Sequence, residues 1–580
     1  MKENETEFTW KIGGAAGDGQ QIAGSLFSKV CNQEGLYTYG YSEFPSAIRG
    51  GHVAFGVSVS SHKIHALYQE VNILVALNDE TVILHTDEMA KGGIIIYDSA
   101  KVSEKAMELA KKKKIVLCAL PISNIIKENN LRALATNIVA LGATFGVLQY
   151  EIEAVYAVLN RVFSAKSSEI REMNKIAVDS GFGYAKKNFK VAEFSLIKEG
   201  QKGKNEKLIL NSNHGVSLGA VAAGCRAYVA YPMSPSTSIL HSLAEWAKKT
   251  GMVVYQPEDE IAVVHTMIGA MYAGTRAMTG TSGGGFALMV EAVALSAITE
   301  TPAVLAVSSR PGPATGLPTW TEQGDLKFIV NCGHGDFLRV VLAPSDAQDA
   351  FTYTALAFNL AEKYQIPVFI LLDKYISEGY KSFDDFSTEV KIERGKMITQ
   401  EELLKMKEYL RYKLAKDGVS ARSLPGMQNG LHLTNSDEHD EYGFTIEGWT
   451  PETRVAQVDK RAAKLPGILK DLPKPQKYGP KTAKITILGW GSTKGPVLEA
   501  LNFLENVNYI HVPAVWPIDK IAITDALKNV KKLVIMENNA TGQFADLLVA
   551  QAGIVADEKI LKYSGRQFWP EEIVEKIKKI

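Results

Sequence analysis

The sequence is poor in cysteine and has no excess of either charge. Its four cysteines, Cys31, Cys118, Cys225 and Cys332, are spread along 580 residues and form no CxxC pair. This spacing argues against a disulfide framework and against a zinc or iron–sulfur site held by this chain, and it favours a reducing compartment. Lys plus Arg equals Asp plus Glu, at 64 each, so no overall field favours nucleic acid or an acidic membrane surface as a partner.

Long apolar runs are also lacking. No stretch reaches the roughly eighteen uninterrupted apolar residues of a membrane helix, and the N-terminal MKENETEFTWK is charged and has no apolar signal-peptide core. We therefore expect a cytoplasmic protein. With 46% hydrophobic residues, a chain of this length should divide into several domains of roughly 150 residues each.

Short β-branched runs alternate with helical stretches along most of the chain. This pattern is typical of parallel sheets covered by helices, whose strands are apolar on both faces. We therefore predict an α/β fold with three parallel-sheet domains, at residues 1–196, 208–380 and 481–580. The polar stretch 197–207 is predicted to be a linker, and the charged, proline-containing stretch 381–480 a connecting region.

A glycine cluster, GGAAGDGQQ at residues 13–21, follows the first predicted strand and opens a helix. Backbone amides at a helix N-terminus, with no side chains in the way, suit a phosphate, so Gly14, Gly17, Gly19 and the downstream Arg49 are candidates for an anion site. The spacing differs from the dinucleotide GxGxxG, and the asparagine that a GDG thiamine diphosphate motif requires is missing downstream. A tight strand-to-helix turn that needs small residues explains the cluster equally well.

Four polar loops follow four successive predicted strands in the second half of the chain. They are YPMSPST (231–237), QPEDE (256–260), MTGTSGGG (278–285) and RPGPATGLPTWTEQGDL (310–326). Each has an ordinary explanation as a helix cap or a turn. However, the carboxyl ends of parallel strands meet at one edge of a sheet, where open α/β proteins bind ligands. The composition of 310–326, here called the arginine loop, is typical of a rigid polar loop around a small ligand.

Four other features have mainly structural interpretations. His265 lies on an apolar helical stretch and is expected in the core, whereas His439, in a charged stretch, is expected to be exposed. The stretch EELLKMKEYLRYKLAK (401–416) is expected to be helical. GWGST (489–493) and ENNATGQ (537–543) follow strands, and we expect them to make structural contacts rather than to cradle phosphate.

In this order YPMSPST, QPEDE, GTRAMTGTSGGG, the arginine loop and MENNATGQ resemble the motifs of the 2-oxoacid:ferredoxin oxidoreductases. The resemblance is to the α subunit with a fused N-terminal γ domain, especially its 2-oxoglutarate branch, and it covers nearly the whole chain. It implies a γ domain at 1–196, a pyrimidine-binding thiamine diphosphate domain at 208–380, and a transketolase C-terminal-like domain at 481–580. One departure is that the family usually has TSGPG where this chain has TSGGG; Gly284 in place of proline should loosen the loop.

The resemblance also implies roles for individual residues. Glu260, with Glu258 in reserve, would bind N1′ of the cofactor's aminopyrimidine. Arg310 would hold the substrate carboxylate, because guanidinium binds carboxylates in a bidentate geometry. The other substrate-binding candidates are Ser234, Thr315 and Thr319. The cofactor-binding candidates are Tyr231, Pro232, Thr281, Ser282 and Gly283. The candidates for a coenzyme A site are Gly14, Gly17, Gly19 and Arg49.

The implied reaction is the oxidative decarboxylation of a 2-oxoacid, favouring 2-oxoglutarate, with coenzyme A to give acyl-CoA, CO₂ and reduced ferredoxin. A separate β subunit would hold Mg²⁺, the diphosphate and at least one [4Fe-4S] cluster in an (αβ)₂ assembly, and this chain would hold no metal. Two alternatives remain open: a thiamine-dependent decarboxylase or ketolase without electron export, and a non-catalytic assembly or coenzyme A-docking subunit. Neither nucleic acid nor a membrane is expected as a partner.

Overall fold

The computed structural model describes residues 7–46, 50–189, 206–446 and 450–580. The chain divides into two compact units. Unit 1 comprises Met1–Leu210, Glu378–Phe386 and Trp569–Ile580, and unit 2 comprises Asn211–Ser377 and Ser387–Phe568. None of the described helices is long and apolar enough to cross a membrane. Most of the predicted linker, residues 197–205, lies outside the described residues.

The strands, in chain order, are β1 Glu7–Ala15, β2 Tyr37–Glu43, β3 His52–Ser60, β4 Val71–Ala76, β5 Met89–Asp98, β6 Val116–Leu120, β7 Leu208–Leu210, β8 Ala227–Val229, β9 Val253–Tyr255, β10 Ala277–Thr281, β11 Ala303–Ser309, β12 Val340–Leu342, β13 Pro367–Asp373, β14 Tyr380–Phe383, β15 Gln476–Tyr478, β16 Ile485–Gly489, β17 Val507–His511, β18 Ala514–Trp516, β19 Leu533–Glu537 and β20 Glu558–Leu561.

The α-helices are α1 Gln20–Gln33, α2 Asp79–His85, α3 Glu104–Lys111, α4 Ile122–Glu128, α5 Thr136–Val147, α6 Ile152–Val162, α7 Ser168–Asn188, α8 Ser212–Ala222, α9 Thr237–Thr250, α10 Glu260–Tyr272, α11 Gly283–Phe286, α12 Val290–Ile298, α13 Leu326–Val330, α14 Ala347–Tyr364, α15 Lys374–Glu378, α16 Gln400–Lys405, α17 Pro451–Ala462, α18 Leu465–Asp471, α19 Lys494–Leu501, α20 Lys520–Ala526, α21 Gln543–Ala552 and α22 Pro570–Lys578. Short 3₁₀ turns span Thr86–Glu88, Ala133–Ala135 and Gly491–Thr493.

Unit 1 is built on a mixed sheet in the order β6-β5-β4-β1-β3-β2-β14-β7. Strands β1, β4, β5 and β6 are parallel, whereas β3 is antiparallel to both β1 and β2. Under this sheet the ring of Phe27 stacks between Trp10 and Phe145, with centroid distances of 4.5 and 5.5 Å. Helices α5 and α7 approach so closely that a Cβ on Gly142 would lie 2.2 Å from the carbonyl oxygen of Val178. Glycine is therefore required at this helix crossing.

Unit 2 contains two sheets, in the orders β18-β12-β13-β11-β10-β8-β9 and β15-β17-β16-β19-β20. Strands β8 to β13 of the first sheet pair in parallel, so the loops that leave β8, β9, β10 and β11 start at the same edge. Strand β18 follows β17 of the second sheet yet pairs with β12 of the first. The two sheets consequently share one apolar core. The predicted α/β class is confirmed, and the predicted domain boundaries stay a prediction.

Three local expectations from the sequence are wrong. His265 is exposed. The solvent-facing side of α10 also carries the apolar Ile261, which is 47% exposed, so apolar neighbours along this helix did not indicate a core position. His439 is buried, with its ring centroid 3.9 Å from that of Tyr412. Of the stretch 401–416, only residues up to Lys405 are helical. The chain then turns inward, where Arg411 donates to the carbonyl of Glu300 at 2.8 Å.

Candidate active site at the strand ends

Three consecutive acids after β9 occupy three different environments. Glu258 is exposed, and Asp259 caps α10 by accepting a hydrogen bond from the amide of Ala262 at 2.9 Å. Glu260, the first residue of the helix, is only 5% exposed. Its Oε1 is buried and has no hydrogen-bond partner among the described residues. A buried carboxylate oxygen without a donor is costly, so Glu260 is the acid of this group that a ligand would complete.

The TSGGG turn, residues 281–285, leads from β10 into α11, and its backbone lies directly against that carboxylate. A Cβ on Gly285 would be 2.6 Å from Oε1 of Glu260 and 2.2 Å from Oγ1 of Thr281. Glycine at 285 therefore lets the turn approach both side chains, and Thr281 at the end of β10 is fully buried there. The neighbouring Gly284 is exposed, and a Cβ there would meet only the carbonyl oxygen of Ala314 at 4.0 Å.

Arg310 connects the loop after β8 with the loop after β11. Its Nη1 donates to the carbonyl oxygen of Ser234 at 2.8 Å, and the peptides Ser234–Pro235 and Gly312–Pro313 are both cis. Burial lowers the pKa of the Arg310 guanidinium, and the charge of Asp325 partly offsets this effect. Arg310 is half-buried. One N–H group of its guanidinium donates to Ser234, and the remaining N–H groups can bind an anion.

Hydroxyl groups at the same strand ends differ in their exposure. Ser282 and Thr319 are buried, and their hydroxyl oxygens have no hydrogen-bond partner within the described parts of the chain. Four other predicted site residues of these loops are exposed: Tyr231, Pro232, Ser234 and Thr315. Ser282 thus directly follows β10, Arg310 directly follows β11, and Glu260 lies beside the end of β10. Ser282, Thr319 and Glu260 each have a buried polar atom without a partner among the described residues.

Hydrogen bonds with the two C-terminal motifs, GWGST and ENNATGQ, hold the arginine loop. Gln323 donates through Nε2 to the carbonyl of Trp490 at 2.9 Å and accepts from the amide of Asn538 at 2.8 Å. Asn539 donates to the carbonyl of Gln323, and Gln543 donates to that of Gly324 at 2.7 Å. GWGST and ENNATGQ therefore hold the loop in shape. The sequence predicted structural contacts for these motifs but not their partner in the arginine loop, since the contacts join residues more than 160 positions apart.

Two further acids lie in the arginine loop. Burial raises the pKa of Glu322 to about 7, and the charge of Asp325 adds to this effect. Burial also raises the pKa of Asp325, whereas Ser309 and Arg310 oppose the rise. Asp325 precedes α13 but makes no capping hydrogen bond through its side chain. The sequence analysis gave neither acid a role.

In unit 1 several backbone amides of the glycine cluster at residues 13–21, here called the glycine turn, already donate hydrogen bonds within the protein. The amide of Ala15 donates to the carboxylate of Asp18 at 2.9 Å, that of Ala16 to the carbonyl of Gly51, and that of Asp18 to the carbonyl of Ala15. Gly17 and Gly19 have φ values of 101° and 83°, which favour glycine. Gly14 lies in β1 against Gln20 and Asp18. Arg49 lies outside the described residues, so the anion site stays a prediction.

A buried ion-pair network lies beside the glycine turn. His52 opposes Ala15 in the β1–β3 pair, and its Nε2 is 2.8 Å from Nε2 of His85. His85 contacts Glu88 at 2.9 Å, and Lys11 reaches the same carboxylate at 2.5 Å. Burial, the largest single influence, raises the pKa of Glu88, but His85 and Lys11 together hold it down to about 2.

The described residues contain no group of three or more His, Cys, Asp and Glu side chains that could hold a metal ion. Cys31, Cys118, Cys225 and Cys332 are all buried as free thiols. The unpartnered Oε1 of Glu260 and the glycine backbone beside it fit the aminopyrimidine half of thiamine diphosphate, whose ring nitrogen and amino group form hydrogen bonds.

Comparison with known proteins gives two family models. Residues 218–460 match the model described as "Pyruvate flavodoxin/ferredoxin oxidoreductase, thiamine diP-bdg". Residues 9–184 match the model described as "Pyruvate ferredoxin/flavodoxin oxidoreductase". The chain therefore contains a thiamine diphosphate-binding domain, and all four strand-end loops lie within its matched range.

Relatives and a solved structure extend the likeness over the whole chain. Subunit α of 2-oxoacid:ferredoxin oxidoreductase 2 from Aeropyrum pernix is 31% identical, over 98% of this chain and 97% of the relative. The 2-oxoglutarate synthase subunit KorA of Methanothermobacter thermautotrophicus is 31% identical, over 65% of this chain and 99% of the relative.

The solved structure is 2-oxoglutarate:ferredoxin oxidoreductase from Magnetococcus marinus with 2-oxoglutarate, coenzyme A and succinyl-CoA bound. It is 29% identical and superposes with a TM-score of 0.91, covering 99% of each chain. The fold, the matched thiamine diphosphate-binding model and the near-complete overlap with the Aeropyrum relative agree with one another. This chain belongs to the family of α subunits of the 2-oxoacid:ferredoxin oxidoreductases.

Proposed function

We propose that this chain is the fused γ–α subunit of a thiamine diphosphate-dependent enzyme that oxidises 2-oxoglutarate. With coenzyme A and a separate β subunit, it would form succinyl-CoA and CO₂ and reduce ferredoxin. Support for this substrate comes from the Magnetococcus structure, whose name includes 2-oxoglutarate, and from the 2-oxoglutarate synthase subunits among the relatives. Mg²⁺ and the iron–sulfur cluster would be held by the β subunit in an (αβ)₂ assembly.

The observation that carries the proposal is the buried, unpartnered carboxylate of Glu260 against the backbone of Gly285. In this position Glu260 would accept a hydrogen bond from N1′ of the aminopyrimidine and hold a proton there. Bound thiamine diphosphate supplies the nucleophilic thiazolium carbon that attacks the 2-oxo carbon. Glu258 is exposed, which favours Glu260 for this role. Thr281, Ser282 and Gly283 would line the same face of the cofactor.

The substrate would be oriented by Arg310. Its guanidinium is fixed by Ser234 at 2.8 Å and retains N–H groups for the carboxylate of the 2-oxoacid. The buried hydroxyls of Ser282 and Thr319 lack acceptors in the described structure. Carboxylate and ketone oxygens are acceptors only, so these donors suit a 2-oxoacid.

The test is Glu260→Gln in the reconstituted complex. We expect 2-oxoglutarate-dependent ferredoxin reduction to fall by at least about 10²-fold, the usual scale of a lost proton-transfer group, while assembly is kept. Glu258→Gln is the matched control, since it makes the same change at an exposed position two residues away. Full activity of Glu260→Gln would contradict the assignment. A wild-type complex that oxidises pyruvate or a branched 2-oxoacid in preference to 2-oxoglutarate would contradict the proposed substrate.

A further inference from the structure

Asp325 is an acid of the site that sequence motifs give no role. Its carboxyl lies against α11: a Cβ on Gly283 would be 2.3 Å from Oδ1 and 2.7 Å from Oδ2. Two residues further along the same turn, Gly285 lies against Glu260 in the same way. Asp325 and Glu260 thus both contact the TSGGG turn, at glycines two residues apart.

Asp325 is half-buried, and the contacts of the described residues do not explain why Oδ2 of its carboxyl is buried. It precedes α13, yet its side chain does not cap that helix. Within the described residues neither Oδ2 of Asp325 nor the Ser309 hydroxyl has a hydrogen-bond partner in good geometry, although Ser309 lies near enough to favour the ionised carboxylate. An ionised carboxylate left in this state would bear a large desolvation cost, whereas a protonated carboxyl bears a much smaller one.

The charged groups around Asp325 have opposing effects. Arg310 favours the ionised form, but burial outweighs it and raises the pKa of Asp325. The charge of Asp325 adds to the burial that raises the pKa of the nearby Glu322 to about 7. Glu260 adds a further acid at the same turn. A bound 2-oxoacid would bring one more negative charge and would favour the neutral form further.

The chemistry of the substrate gives the neutral carboxyl a use. The carboxylate and 2-oxo oxygens of a 2-oxoacid accept hydrogen bonds and donate none. An ionised Asp325 beside Arg310 would repel such a group, while a protonated Asp325 offers it an O–H. A buried acid kept neutral as a hydrogen-bond donor is a known arrangement in enzyme oxyanion sites.

We propose that Asp325 is protonated in the active enzyme and donates a hydrogen bond from its carboxyl O–H to an oxygen of the bound 2-oxoacid, next to Arg310. The inference rests on the proposed function, in which Arg310 holds the substrate carboxylate. It makes Asp325 a substrate-binding catalytic residue that requires its proton, so its contribution should be lost as the pH rises and the carboxyl ionises.

The experiment compares Asp325→Asn with Asp325→Ala in the reconstituted complex, between about pH 5.5 and 9. Asparagine keeps the shape and an N–H donor but cannot ionise. We expect Asp325→Ala to raise KM for the 2-oxoacid by roughly 10- to 100-fold, the scale of one lost hydrogen bond to a charged group. Asp325→Asn should stay within about threefold of wild type at low pH and lose the decline of kcat/KM that wild type shows as pH rises.

A second readout does not depend on turnover. Infrared difference spectra of the complex with and without 2-oxoacid should contain the C=O band of a protonated carboxyl, and Asp325→Asn should lack it. If Asp325→Asn is as impaired as Asp325→Ala, or if Asp325→Ala leaves KM unchanged, the inference is wrong. A wild-type complex that oxidises no 2-oxoacid would instead refute the proposed function. Melting temperatures of both variants close to that of wild type exclude misfolding as the cause.

Discussion

Gly285→Ala tests whether the TSGGG turn positions the carboxylate of Glu260. The added Cβ would lie 2.2 Å from Oγ1 of Thr281 and 2.6 Å from Oε1 of Glu260. Since Cβ contacts under 3.0 Å essentially do not occur, these atoms must retreat by at least about 0.8 and 0.4 Å. The backbone at Gly285 is not in the left-handed region, so alanine is otherwise permitted there.

The expected effects on stability and on activity differ in size. Overpacking costs about 1–3 kcal/mol, and replacing a helical glycine by alanine returns about 1 kcal/mol, so the free energy of unfolding should fall by about 0–2 kcal/mol. A 1 Å displacement of a catalytic group costs up to about 10²-fold in rate, and the carboxylate of Glu260 must retreat by at least about 0.4 Å. We therefore expect kcat to fall by roughly 10-fold in a complex that still assembles.

The assay is 2-oxoglutarate-dependent reduction of ferredoxin by the reconstituted complex, with a thermal melt of each variant. Gly284→Ala is the control, because the neighbouring position is exposed and its Cβ would have 4.0 Å of clearance. We expect it to retain activity. Equal activity of the two alanine variants would refute the reasoning, and so would a Gly285→Ala variant that fails to fold.

Three further predictions concern the loop, the substrate and unit 1. Gly284→Pro should raise the free energy of unfolding by about 0.4–1 kcal/mol and leave activity unchanged. Position 284 lies in the first turn of α11, where the backbone amide needs no hydrogen bond within the helix. A lower melting temperature of this variant would contradict the prediction. Arg310→Ala should raise KM for the 2-oxoacid by roughly 10- to 100-fold, the scale of a charge-assisted hydrogen bond, and an unchanged KM would place the carboxylate elsewhere. Glu88, whose pKa is lowered to about 2, should stabilise unit 1 fully above its unfolded pKa of about 4.5 and lose this effect as pH falls towards 2. Glu88→Gln should therefore speed hydrogen exchange of β1, which carries Lys11, at pH 7 by an amount equivalent to about 2–3 kcal/mol, with the difference from wild type vanishing near pH 2.

The local sequence pattern was sufficient to predict the α/β class and the order of the strand-end loops. Apolar β-branched runs and glycine turns are properties of neighbouring residues, and the parallel pairing of β8 to β13 follows from their alternation with helices. The same reasoning was wrong for His265 and His439, and for the helix that ends at Lys405. Each of these depends on which side of an element meets the core, and the contacts that decide it come from distant parts of the chain.

By itself the sequence determined the family, the fold class and the set of loops that border the site. The sequence preferred Glu260 and kept Glu258 in reserve, but only the tertiary structure shows that Glu260 is buried against the backbone of Gly285 while Glu258 is exposed. It also decided that Asp325 faces the TSGGG turn and that Gln323 is held by Asn538. A sequence encodes neighbours along the chain, whereas the pKa of an acid and the shape of a loop depend on neighbours in space.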